Sequence, residues 1–170
     1  QRTFPIVEQL LARKPKIIGF GVYIWNVTQT LSVLRCLKKL APEIKVVLGG
    51  PEVSYEIEGQ EIAQYADVLI TGEADLTFAG VCREILDEGS PSQSLVRSPV
   101  PDLSEIVTPY DLYSDDDVKN RIVYVEASRG CPFTCEFCLS SLDIPVRQFP
   151  DAPFLKSLEQ LYERGVQHFK

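Results

Sequence analysis

Apolar positions along the chain repeat with two periods, and the switch between them sets out the elements. Residues 3–13 carry Ile6, Val7, Leu10 and Leu11 on one helical face, with Thr3 able to cap the segment and Pro5 suited to its first turn. The run 16–22 is short and apolar, as a buried strand requires, and residues 27–41 place Val27, Leu31, Leu34, Leu37 and Leu40 at helical spacing. A second strand covers 44–48 and stops at Gly49-Gly50-Pro51. A helix is expected over 56–65, and a third strand over 68–70, closing at Thr71-Gly72-Glu73. Residues 75–88 predict a helix with Asp75 as cap and Gly89 as stop.

Strands and helices that alternate across short connections imply right-handed crossovers and a parallel sheet covered on both faces. The expected fold class is therefore α/β, a doubly wound, Rossmann-like parallel sheet over residues 1–89. Three strands make a small sheet and the chain opens on a helix, so the sheet is expected to be incomplete, with strands preceding residue 1 absent. Over 90–120 the periodicity dissolves into Ser, Pro and short apolar pairs, the composition of a linker. Residues 121–127 then predict a new strand. A helix follows over 151–164, with Asp151 at its start, Leu155, Leu158, Leu161 and Tyr162 inward and Gly165 at its end. Val166 to Phe169 begin a further strand. Residues 121–170 thus look like the first βα unit of a second α/β domain, too short to close a (β/α) barrel of about 250 residues.

Composition narrows the classes. No apolar run approaches the roughly 20 residues that cross a bilayer, and the opening Gln1-Arg2-Thr3-Phe4-Pro5 lacks the regions of a signal peptide. No membrane association and a cytoplasmic location are expected. A net charge of −7 argues against broad nucleic-acid binding, which needs clustered Lys and Arg. The acidic run at 114–117 is read as a solvated loop. Five cysteines without a secretory signal point away from a disulfide framework. Cys36 and Cys82 sit inside apolar helical patterns and are assigned to packing.

Cys131, Cys135 and Cys138 need another explanation. Three thiolates spaced by three and two residues can converge on one metal centre from a single loop, and Gly130 and Pro132 suit a tight turn there. Three ligands leave one iron of a four-iron cluster open, as catalytic metal sites require. The alternative is a zinc knuckle with a fourth ligand from elsewhere. The spacing is uncommon for zinc, and the one histidine, His168, reads as a strand residue.

The run from Ser128 to Cys138, Ser-Arg-Gly-Cys-Pro-Phe-Thr-Cys-Glu-Phe-Cys, resembles the cluster loop of the radical S-adenosylmethionine (SAM) enzymes. The resemblance implies a [4Fe–4S] cluster on the three cysteines and SAM on the open iron. It also implies Phe137 near the adenine, a 5′-deoxyadenosyl radical from reductive cleavage, and an electron donor of flavodoxin or ferredoxin type.

A second resemblance lies upstream. Val46 to Glu52 and Ala66 to Glu73 are similar to the cobalamin-binding domain fused ahead of many such enzymes. By that resemblance the Gly49-Gly50 turn passes the nucleotide tail of cobalamin, and Gly21, Tyr23, Gly72 and Glu73 line the same cleft. The Asp-x-His-x-x-Gly segment that supplies an axial histidine in some relatives does not occur in these residues, and Gly21 stands where many such domains carry serine. Trp25 and Asn26 leave the same sheet edge, where tryptophan would stack on a corrin or a substrate, or plug a domain interface, the preferred reading.

The expected function is that of a cobalamin-dependent radical SAM enzyme, a methyl transferase in one version. The competing expectations are a radical enzyme whose first domain no longer uses cobalamin, and a non-enzymatic, metal-stabilised binding module. The substrate is left open, and these residues alone are not expected to turn it over.

Overall fold

The structure, a computed structural model, describes residues 3–55, 57–142 and 145–170. The chain divides into two compact units, Gln1–Pro101 and Asp102–Lys170.

The first unit runs α1 (Thr3–Ala12), β1 (Ile17–Gly21), α2 (Val27–Leu40), β2 (Lys45–Gly49), β3 (Val68–Thr71), α3 (Thr77–Glu88) and β4 (Leu95–Arg97). The four strands lie in the order β1-β2-β3-β4, every neighbouring pair parallel. Side chains alternate between the two faces of a strand, and the cores follow that alternation. Ile18, Val46, Leu48 and Leu69 pack with Leu34 and Leu37 of α2 on one face. Val47, Val68 and Ile70 pack with Val81 and Ile85 of α3 on the other. Both faces are covered, which is why the strands read as continuous apolar runs.

Four differences from the sequence reading have identifiable physical causes. The strand β4 falls inside the stretch 90–120 read as a linker. Three residues between serines and prolines carry no period, and only the free side of β3 gives them a partner. The ladder extends at each end through Leu69 N–H to Ser94 O at 2.8 Å and Ser98 N–H to Thr71 O at 2.9 Å. The helix expected over 56–65 is reduced to a 3-10 turn, Glu61–Tyr65; Glu56 lies outside the described residues. Gly59 takes a φ of 87°, and the Gln60 side chain donates to the carbonyls of Glu52 and Tyr55 at 2.9 and 3.1 Å, which shapes the segment as a loop. The cap position of α3 is Leu76 rather than Asp75, and it makes no side-chain cap bond. Thr3 is the first residue of α1, with its hydroxyl accepting from Gln29 Nε2 at 3.3 Å. At the far end of α3, Gly89 takes the left-handed conformation at φ 79°, as a helix stop needs.

The second unit contains α4 (Asp115–Asn120), β5 (Ser128–Arg129), β6 (Arg147–Gln148) and α5 (Asp151–Glu163). The acidic run read as a loop opens α4. Ser114 and Asp117 form a reciprocal capping box, and three acidic residues suit the positive end of a helix. The strand expected over 121–127 is reduced to one isolated parallel bridge, Val123 to Phe169. Val123 and Val125 nevertheless donate to His168 O and Lys170 O at 3.0 and 2.9 Å. β5 and β6 pair antiparallel. The core joins Tyr110, Val118, Val123, Leu161 and Val166, with Phe154 packed against it. On α5 the inward stripe is therefore Phe154 and Leu161. Leu155 and Tyr162, expected inward, are one step round the helix and exposed. No helix among the described residues is long and apolar enough to cross a membrane.

Candidate cofactor-binding sites

The first candidate site lies at the carboxyl edge of the four-stranded sheet. Register sets Gly21 beside Gly49 at the ends of β1 and β2. Beyond them Val22 N–H donates to Gly49 O at 2.7 Å and Glu52 N–H to Val22 O at 3.2 Å, so the chain leaving β1 is stitched to the Gly-Gly turn. The two glycines of that turn differ in kind. Gly50 has φ 107°, and a Cβ there would lie 2.5 Å from Val22 O and 2.8 Å from Val22 N. The fold itself demands glycine at 50. A Cβ on Gly49 would meet only Ile70 O, at an ordinary 3.5 Å. By strand alternation Gly49 and Gly21 both face the α3 side, where they leave backbone without side chains of their own. At Gly21 the Tyr23 ring already lies 3.3 Å from the Cβ position, whereas at Gly49 a flat organic group could approach the backbone, and the absence of a Cβ there fits the close passage that a cobalamin tail would need.

Ser54, which the sequence reading did not single out, joins two of the turns. Its Oγ donates to Gly50 O at 2.8 Å and accepts from Gly72 N–H at 3.4 Å. Gly72 itself sits at φ 79°, its Cβ position 3.2 Å from Ser98 O. Glu73 follows directly, its carbonyl accepting from the Ser98 hydroxyl. Gly21, Gly49, Gly50, Gly72 and Glu73 therefore share one sheet edge. A serine two residues past Pro-Glu was the available signal for Ser54, but its partner is eighteen residues away.

Tyr23 and Trp25 flank this edge. Their rings stack at 4.6 Å between centroids and 11° between planes, and Trp25 remains 77% exposed. Asn26 holds the loop shut: its Oδ1 accepts from Tyr23 N–H at 2.8 Å, and its Nδ2 donates to Gly21 O at 3.0 Å.

The second candidate site is the cysteine loop of the other unit. It leaves β5 at Gly130, φ 93°, and passes Cys131, Cys135 and Cys138. All three thiols are free; Cys135 is exposed, and the other two are half-buried. Cys138 N–H donates to Cys135 O at 3.1 Å, a turn that keeps these two residues together. Ser141 donates through both N–H and Oγ to Cys138 O, at 3.0 and 2.6 Å. Among the described residues no three Cys, His, Asp or Glu side chains are gathered closely enough to hold a metal ion. The donor set itself, three reachable thiols on an eight-residue stretch, fits a thiolate-ligated cluster chemically. Phe137 is 93% exposed beside the last of them.

The first unit is thus an α/β domain with a four-stranded parallel sheet and a glycine-lined carboxyl edge, consistent with a Rossmann-like B12-binding domain. Residues 1–82 match the family described as the B12 binding domain. The chain is 30% identical over 170 aligned residues to an uncharacterized methyltransferase of Pyrococcus horikoshii, covering 85% of this chain and 36% of that protein. It is 26% identical to the cobalamin-dependent radical SAM methyltransferase TokK of Streptomyces tokunonensis, covering 91% of this chain and 26% of TokK. It is 33% identical to a bacteriochlorophyllide d C-8(2)-methyltransferase of Chlorobaculum tepidum, covering 56% of this chain and 22% of that enzyme. The chain therefore spans only about a fifth to a third of the lengths of these relatives. The family match falls on the first unit, and these relatives are named as methyltransferases.

Proposed function

We propose that the protein to which these residues belong is a cobalamin-dependent radical SAM methyltransferase, and that residues 121–170 open its (β/α) barrel. The observation that carries this reading is the presence on one chain of a B12-binding domain match over 1–82 and a free three-thiol loop at 131–138. Cys131, Cys135 and Cys138 would hold a [4Fe–4S] cluster. When bound, that cluster supplies the electron that cleaves SAM to methionine and a 5′-deoxyadenosyl radical, the electron arriving from a flavodoxin or ferredoxin-type donor.

The chain's own residues bind, orient and shield. The three thiolates would leave one iron without a protein ligand, open to the amino and carboxylate groups of SAM, and the exposed ring of Phe137 would offer an apolar face to its adenine. On the sheet edge, the open backbone at Gly49, with Gly21 and Tyr23 beside it, would take the nucleotide tail of cobalamin. Gly50, Gly72 and Glu73, tied through Ser54 and Ser98, form the rim. The stacked Tyr23–Trp25 pair would offer an aromatic surface beside that rim. Cobalamin would supply a carrier for the methyl group.

The test is anaerobic preparation of the full-length protein, with iron, sulfide and corrinoid absorption measured on the same sample. Expected results are iron and sulfide near four per chain by order of magnitude, a corrinoid spectrum, and formation of 5′-deoxyadenosine and S-adenosylhomocysteine from SAM. The triple variant C131A/C135A/C138A should lose the iron and the deoxyadenosine while keeping the corrinoid. Zinc in place of iron, or SAM cleavage surviving the loss of the thiols, overturns the reading. Iron without corrinoid would leave a radical enzyme that makes no use of cobalamin.

A further inference from the structure

Arg129 stands one residue before Gly130, where the chain turns into Cys131. Its side chain is only 16% exposed, an uncommon place for a cation unless it is paired. It is paired twice over. Nε donates to Glu126 Oε1 at 3.1 Å and Nη2 to Glu126 Oε2 at 2.9 Å, a two-pronged fork onto one carboxylate. The guanidinium carbon also lies 5.5 Å from the centre of the Phe149 ring, within range of cation–π attraction. Phe149 is buried, and its N–H donates to Ala127 O at 3.0 Å. Arg129 of β5, Glu126 just before that strand and Phe149 just after β6 are thereby locked together beside the start of the loop.

We propose that this Glu126–Arg129–Phe149 clamp fixes the direction in which the chain enters the cysteine loop, making Arg129 a positioning residue for the three thiols. The inference rests on the cluster reading given above. Stability alone is a weak reason for such a pair, because an apolar pair of similar volume often does as well; the two-pronged fork, however, fixes the orientation of its two partners. The loop has the need for it. Its thiols are not gathered in the described structure, and bringing three of them onto one centre means ordering the intervening residues. Ser141 holds the outgoing end at Cys138, and the clamp holds the incoming end. Lysine cannot replace it, since an ammonium offers neither the fork nor the flat face for the ring.

The experiment compares wild type, R129K, R129A and E126Q in the full-length protein after anaerobic reconstitution. Far-UV circular dichroism and thermal unfolding first establish that each is folded. E126Q keeps the volume of a side chain that is 46% exposed, so it reports on the pairing even if R129A fails to fold. Two quantities are read: the rate at which a ferrous chelator strips iron, and the electron paramagnetic resonance signal of the reduced cluster with and without SAM. R129K and E126Q should release iron about tenfold faster than wild type. They should also show a weakened or heterogeneous change in the resonance when SAM is added, an effect that lost fold stability alone would not produce. Variants that load, hold iron and respond to SAM as wild type does would overturn the clamp while leaving the cluster. A wild type that takes up no iron would overturn both.

Discussion

Asp67, just before β3, gathers three donors on one carboxylate. Its Oδ2 accepts from Lys38 Nζ at 2.6 Å and from Val46 N–H at 2.8 Å, while Lys45 Nζ stands 3.5 Å from Oδ1. Lys38 also donates to Ile44 O at 3.0 Å, so one carboxylate ties the end of α2 to the starts of β2 and β3. Partial burial opposes its charge, but the hydrogen bonds from Lys38 and Val46 and the two lysine charges outweigh that and hold its carboxyl below the ordinary value. A depressed folded value contributes stability that is complete above the unfolded carboxyl range near about 3.9 and is lost as pH falls through the folded value. Asp67→Asn keeps the shape and removes the charge. It should destabilise the first unit by about 1–3 kcal/mol at neutral pH, measured by urea unfolding. The variant should also lose less stability than wild type on acidification below about pH 4. Equal acid sensitivity in both proteins would show that other carboxylates govern it.

Among the elements, the connection after β2 separates what the fold needs from what a ligand would need. Gly50→Ala drives a Cβ into the Val22 backbone at a positive φ and should cost about 3 kcal/mol or more. Gly49→Ala adds a Cβ at ordinary contact distance in a strand and should change stability by less than about 1 kcal/mol. The decisive comparison is corrinoid uptake: a folded Gly49→Val protein should bind cobalamin poorly if the tail passes this backbone. Normal uptake by that variant would remove Gly49 from the site. The sequence marked both glycines equally, because it shows residue type and not the neighbour each one faces. The same limit explains β4, whose three residues carry no period of their own and become a strand only beside β3.

At the scale of the whole molecule, the two units hold separate cores with no residue in common. In the second unit Leu161, 1% exposed, meets Tyr110, Val118, Val123 and Val166. Leu161→Ala should destabilise this unit by about 2–5 kcal/mol. The thermal transition of the first unit should stay in place, while Leu34→Ala, in the first unit's core, should do the reverse. The transitions are to be followed by amide hydrogen exchange resolved along the chain. Coupled loss of protection in both units would mean that the cores do not fold independently.

Periodicity and chemistry that stay local in the chain were decided by sequence alone. The strands β1 to β3, the helices α1, α2, α3 and α5, the glycine stop at Gly89 and the three-thiol spacing need only neighbours within a few residues. Tertiary structure decided whatever depends on a partner far along the chain. It supplied β4 its ladder, exchanged the expected helix over 56–65 for a 3-10 turn, and replaced most of the strand over 121–127 with a single bridge. It also separated Gly50 from Gly49 and placed Glu126 and Phe149 around Arg129. A side chain's type is written in the sequence, but the atom it meets is set by how distant segments pack, and it is that meeting which fixes energy and reach.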